Sequence, residues 1–381
     1  PDVQVAAALQ EAPGFVMAHV LRAYLRICSR DPASVREARL VSAGAAHLPD
    51  NSRERQHLSA ISAVLLDNYE QAKWILDRLL QEHPRDALAL QVMHALSYLT
   101  GEVPGMAGRV RRVMRSWSPQ LPGYHAVLSM HAFTQAECGE YQHAEELALR
   151  ALDLNPGDAR AHHAMAHVFE LSGRVADGIR WLRGQEAGWG VNTTVATHCW
   201  WHLALLHLQE EGTRRALAVY DTHVRHERSI AIADLIDASS LLWRVSMQQQ
   251  DVADRWVELA ECWSSHVTDA FCTFSDVHAM LTFVGAREWG LAQSLLRALS
   301  ERQIERTRYG ALTRMMGLPA CRALLAFGRG DYATTARLLG AVPAVAHRLG
   351  GSHAQREVLH LTLIEAVHRS RRPPHPLRAA A

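Results

Sequence analysis

The stretches Asp67-Asn68-Tyr69-Glu70-Gln71-Ala72, closed by Pro84, and Cys138-Gly139-Glu140-Tyr141-Gln142-His143-Ala144, closed by Pro156, are two copies of one pattern. The spacing from Tyr69 to Pro84 equals that from Tyr141 to Pro156, and the spacing from Ala72 to Pro84 equals that from Ala144 to Pro156. The two prolines stand two repeats apart, on the roughly 34-residue period of the tetratricopeptide repeat. A Gly or Asn ahead of the Tyr ends the first helix of a hairpin where a positive φ is cheap. The small Ala lets the two helices approach closely. Pro stops the second helix, because it lacks an N–H and its ring clashes with the preceding turn. One hairpin cannot bury its own apolar face, so hairpins stack.

Outward from these copies, nearly every segment repeats apolar residues at i, i+3, i+4 and i+7 between Gly, Pro or Asp breaks. Strand-type alternation is almost absent. The pattern predicts hairpins over 87–115, 158–184, 193–226, 230–266, 273–302 and 312–347. A last helix opens with Ser352-His353-Ala354-Gln355, a capping box. The expectation is an all-α tetratricopeptide-type solenoid, a right-handed superhelix of about eight divergent hairpins over 1–369. A basic, Pro-rich, disordered tail over 370–381 follows. The stretch 184–190 reads as a longer connection or as a lid over one face.

Charge is balanced, 40 Lys and Arg against 39 Asp and Glu, so no field of one sign argues for nucleic acid or an anionic membrane. No run of 18 apolar residues occurs. The six cysteines form no CxxC pair, and a chain of 381 residues needs no disulfide framework; the expectation is a reduced, cytoplasmic protein. No phosphate-cradling glycine loop is present, so no nucleotide cofactor is expected.

The 23 histidines are the compositional oddity. Four fall at repeat spacing on first helices: His94, His131, His167 and His202, at successive separations of 37, 36 and 35. His163 and His198 lie one turn before the last two, so His163/His167 and His198/His202 are i, i+4 pairs. Glu170 shares the face of His167. Stacked helices stand about 8–10 Å apart, which brings His163, His167, Glu170, His198 and His202 within reach of one another.

Three readings of that group compete. Paired imidazoles with a carboxylate suit a divalent metal, with His163, His167 and His202 as ligands. The same groups suit a metal-free acid/base pocket, with histidine shuttling protons and Glu170 orienting or accepting them. They also suit plain hydrogen bonding between stacked helices. Cys138 and Cys199 lie near the column, but with no identifiable partner a cysteine reads as core.

At these residues the chain resembles the tetratricopeptide repeat protein 38 family. The matching stretches run along nearly its whole length. They include Phe15-Val16-Met17-Ala18-His19, Arg53-Glu54-Arg55-Gln56-His57, His163-Ala164-Met165-Ala166-His167, His198-Cys199-Trp200-Trp201-His202, Tyr220-Asp221-Thr222-His223 and Gly350-Gly351-Ser352-His353-Ala354-Gln355. The resemblance implies a compact superhelical array of divergent repeats and names no reaction. His131 departs from the family pattern, whereas Phe133 and Glu137 follow it.

The functional expectation is a pocket on the concave face for a small molecule, preferred to a peptide, with chemistry of the lyase, hydrolase, isomerase or cyclase type. His163, His167, Glu170, His198 and His202 are its catalytic candidates. Trp201 would give an apolar wall, and Asp237, Arg244, Asp276, His278 and Arg356 are candidate substrate contacts on later turns. The alternative is an adaptor that holds a peptide or protein in an open groove, the common use of stacked hairpins.

Overall fold

The computed structural model describes residues 2–29, 31–191 and 193–371. Most of the basic tail, from residue 372, lies outside the described residues. The described residues hold helices and no strand. None of these helices is long and apolar enough to cross a membrane. The chain divides into two compact units, Pro1–Leu241 and Leu242–Ala381.

The first unit is built from antiparallel helical hairpins. Ser52–Leu65 pairs with Tyr69–Glu82, Tyr124–Glu137 with Tyr141–Leu154, and Ala159–Leu171 with Val175–Gly184. The two copies quoted above account for the turns. In the first, the left-handed residue is Asp67 (φ 59°), not the Asn before the Tyr. Asn68 has a negative φ and caps the second helix, accepting from the Gln71 N–H at 3.1 Å. In the second copy Gly139 takes the left-handed place, at φ 87°. Ala72 and Ala144 are fully buried where the helices meet.

Pro84 and Pro156 each end a helix and stand two residues before an aspartate that starts the next. Asp86 Oδ1 accepts from the Ala89 N–H at 2.9 Å, and Asp158 Oδ1 from that of Ala161 at 3.2 Å. Each such bond satisfies one of the amide groups a helix start leaves open. The core passes from hairpin to hairpin through Val20, Ile61, Leu76 and Met93, then through Leu128, Leu147, Met165 and Phe169.

The stretch 184–190 is neither a lid nor a loose connection. It folds into a short helix, Glu186–Trp189, and buries Trp189 completely, 4.6 Å from the Trp200 ring.

The second unit pairs Thr273–Gly285 with Trp289–Arg302 and Leu318–Gly328 with Tyr332–Leu339. The hairpin expected from residue 312 starts earlier, at Arg308, because the Thr307 side chain caps it by accepting from the Gly310 N–H. A π-turn over Thr313–Gly317 precedes the helix Leu318–Gly328, which carries Pro319 in its first turn, where a proline's missing N–H is tolerated. His353–Ser370 opens with the expected capping box. The Ser352 Oγ accepts from the Gln355 N–H, and the Gln355 side chain accepts from that of Ser352.

Candidate functional site

Two adjacent helices of the first unit carry the four central histidines. Ala159–Leu171 has its phase fixed by Pro156 and the Asp158 cap. The i, i+4 geometry then sets His163 and His167 on one face and turns His162 away, its Nε2 3.0 Å from the Pro156 carbonyl. Ala196–Glu210 presents His198 and His202 in the same way.

The four rings form a closed figure. Its sides are 4.6 Å (His163–His167), 4.8 Å (His163–His198), 4.5 Å (His167–His202) and 4.7 Å (His198–His202), measured between ring centroids. The diagonals, 5.4 and 6.4 Å, are shorter than a flat square of those sides would give, so the figure is folded toward a tetrahedron. One nitrogen from each ring lies within 4.8 Å of the other three. The Nε2 atoms of His163 and His167 stand 2.9 Å apart.

A carboxylate backs three of the rings at Nδ1. His202 Nδ1 lies 2.5 Å from Glu170 Oε2, and His198 Nδ1 lies 2.6 Å from Asp237 Oδ2. His167 Nδ1 lies 3.1 Å from Glu137 Oε1, as an ion-pair contact. All three carboxylates are buried. Aromatic rings enclose the group. Phe133 stacks on His163 and meets His167 edge-on, and Trp201 stacks on His198 at an interplanar angle of 14°. Burial pushes the His163 imidazole well below its ordinary value, and the neighbouring His167 and His198 add to the effect.

No family model matches the chain. Among solved structures it is similar to a crystal structure of the APC/C hetero-tetramer Cut9-Hcn1, at 12% identity and a TM-score of 0.42, over 91% of this chain. It spans 63% of that chain's length. The fold is of the tetratricopeptide type. At that identity and score the likeness carries no argument about function.

The preference for a small-molecule ligand over a peptide is corrected by where its supposed site residues lie. The His, Glu and Asp side chains that suggested a chemical pocket face one another between packed helices. Cavities of about 390, 680 and 650 Å3 in the first unit are lined by other residues.

The remaining sequence candidates fall as follows. Trp201 is fully buried and donates from Nε1 to Ser240 Oγ at 3.0 Å, so it packs within the helix stack. Asp237 holds His198. Arg244, Asp276, His278 and Arg356 belong to the second unit. Arg244 donates to the Ala354 carbonyl and lies 3.6 Å from Glu357. Asp276 accepts from the Tyr309 hydroxyl at 2.8 Å. His278 Nδ1 lies 2.8 Å from the Phe274 carbonyl, and Arg356 donates to that of Gly351.

His94 and His131 have the column spacing but stay outside the four-ring figure. His94 leans on Phe133, and burial lowers it to about 3. His131 meets His143 edge-on, and burial lowers it to about 4. Cys199 is a buried free thiol and Cys138 an exposed one, and burial raises both, which opposes nucleophilic use.

Glu137 was missed as a site residue. Its signal was present: it precedes Glu170 by about one repeat period, as His167 precedes His202.

Proposed function

We propose that this chain is a tetratricopeptide-type scaffold that engages a protein partner. The observation that carries the reading is the fate of the ionisable group in the first unit. Its four imidazoles and three carboxylates are paired with one another inside the helix stack. What the hairpins offer a partner is therefore their outer surface. One recess there is the cavity of about 650 Å3 at the hairpin Ser52–Leu65/Tyr69–Glu82. Leu58, Ala63, Leu66 and Ile75 line it, with Asp50 and Arg55 among its charged residues, and Leu66 is 76% exposed. An apolar side chain of a peptide segment flanked by charge fits that chemistry.

With this reading goes the proposal that the chain is a divergent member of the tetratricopeptide repeat protein 38 family. The His163–His167 and His198–His202 stretches and the Ser352 capping box support it.

The test is quantitative affinity purification of the full chain beside Leu66→Glu, with circular dichroism to show that both fold. One protein recovered in near-stoichiometric amount with the parent and lost with Leu66→Glu is the expected result. Identical recovery with both chains, or a parent that runs alone, overturns the reading.

A further inference from the structure

We propose that His163, His167, His198 and His202 bind one transition-metal ion through their ε-nitrogens, with Glu137, Glu170 and Asp237 as outer carboxylates. This is independent of the protein-partner reading and uses none of the residues that line the recess beside Leu66.

The geometry points there from three directions. The first is convergence. Two i, i+4 pairs on neighbouring helices bring four ligand nitrogens within 4.8 Å of one another. Four nitrogens at about 2.1 Å from a tetrahedral zinc ion stand about 3.4 Å apart. The 2.9 Å pair and the 4.8 Å limit bracket that value.

The second is the backing of the rings. A carboxylate at Nδ1 fixes an imidazole in the tautomer that carries its proton on Nδ1 and turns the Nε2 lone pair outward. That is the arrangement metal-ligating histidines adopt, and it raises their basicity. Here His198 and His202 have it, from Asp237 and Glu170 on different helices, while Glu137 Oε1 stands 3.1 Å from His167 Nδ1 as an ion-pair contact outside hydrogen-bond geometry.

The third is charge. Glu137, Glu170 and Asp237 bring three buried carboxylates to the same group of imidazoles. A divalent ion at the centre offsets negative charge held there. His198 is 18% exposed at its side chain and gives the ion a route in.

The ligand set selects the ion. Four imidazoles with no thiolate suit zinc, copper, nickel or cobalt, and the figure folded toward a tetrahedron favours zinc. With four protein ligands the coordination shell is closed, as in structural sites.

The test uses the full chain, purified without an immobilised-metal column and stripped with a chelator. Zinc is titrated in competition with a chromophoric chelator, because the chain's 23 histidines offer weak surface sites that only stoichiometry and competition separate from a built one. The expected result is one equivalent bound tightly. His167→Ala and His202→Ala should lower affinity by more than the roughly 10–100-fold typical of an outer-shell loss. Cobalt gives a readout that needs no variant. Intense visible bands of tetrahedral cobalt without thiolate charge transfer support the site, and the weak spectrum of a six-coordinate ion overturns it. Should the buried alanine variants fail to fold, His198→Asn, at the exposed corner, serves in their place. Zinc binding unchanged in a folded variant, or no tight equivalent in the parent, overturns the proposal.

Discussion

Glu170 and His202 meet at 2.5 Å across two neighbouring hairpins, carboxylate oxygen to Nδ1, with the histidine fully buried. A buried, charge-assisted bond of this kind ties one repeat to the next. Glu170→Gln keeps the shape and removes the charge. It should lower the stability of the stripped protein by about 1–3 kcal/mol, measured by urea denaturation. It should also weaken zinc binding about 10–100-fold, measured by chelator competition. A variant with unchanged stability and affinity would show that the contact is incidental.

Asp86 gathers three elements. Its Oδ2 accepts from Arg53 Nε at 2.6 Å and lies 3.1 Å from His57 Nε2, while Oδ1 caps the helix Ala87–Thr100. The Tyr24 hydroxyl lies 3.2 Å from the other side of His57. Burial alone would raise the carboxyl. The bonds from His57, Arg53 and the Ala89 amide overcome it and hold the group well below the usual carboxylate range. Its stabilisation is therefore present above the unfolded value of about 3.9 and is lost as pH falls below it. Asp86→Ala removes a buried carboxylate that pairs with the part-exposed Arg53 and caps a helix, and should cost about 2–4 kcal/mol at neutral pH. Denaturation at pH 7 and near pH 3 checks both statements, because the difference between parent and variant must shrink in acid.

The repeat spacing of Tyr, Ala and Pro was enough to place the hairpins, since each residue meets a local demand of a turn or a close approach. The four histidines were legible for a similar reason. Two i, i+4 pairs one repeat apart must face each other if one hairpin follows another. His131, already set apart by its departure from the family pattern, stays out of the group because its distance to His167 is one residue longer than that from His167 to His202, which puts it out of phase. A single residue is about 100° of rotation on a helix. Phe133 therefore meets His163 and His167, and His131 goes to His143. Glu137 stayed hidden because its partner lies on the following hairpin, and only the phase of both helices reveals the pairing. Neither the longer connection nor the lid read over 184–190 anticipated Trp189, whose large apolar side chain gains more from burial than a mobile loop would leave it.

Gly285 ends the helix Thr273–Gly285, and a Cβ placed on it would run into the ring of Trp256. The ring has nowhere to go. It is 2% exposed, and its Nε1 donates to Ser246 Oγ at 3.0 Å. Gly285→Ala should destabilise the protein by about 1–3 kcal/mol through overpacking, although alanine is the better helix former. Thermal unfolding decides between the two effects, since a raised melting temperature would mean that the ring yields.

Asp276 is the second unit's buried acid. Burial raises its carboxyl to about 7. The Tyr309 hydroxyl bond and Arg302 oppose the rise, and Asp269 adds to it. The folded chain thus takes up a proton here that the unfolded chain, with a carboxyl near 3.9, has released at the same pH. Stability from this group is full below about pH 4 and declines as pH rises toward about 7, where the folded carboxyl finally ionises. Asp276→Asn keeps an acceptor for Tyr309 and cannot ionise. It should leave stability near pH 4 little changed and raise it above pH 7 relative to the parent. Melting curves of the two chains across that range test the point. Parallel curves would mean that the parent carboxyl is already charged at pH 4 and that Tyr309 and Arg302, not burial, govern it.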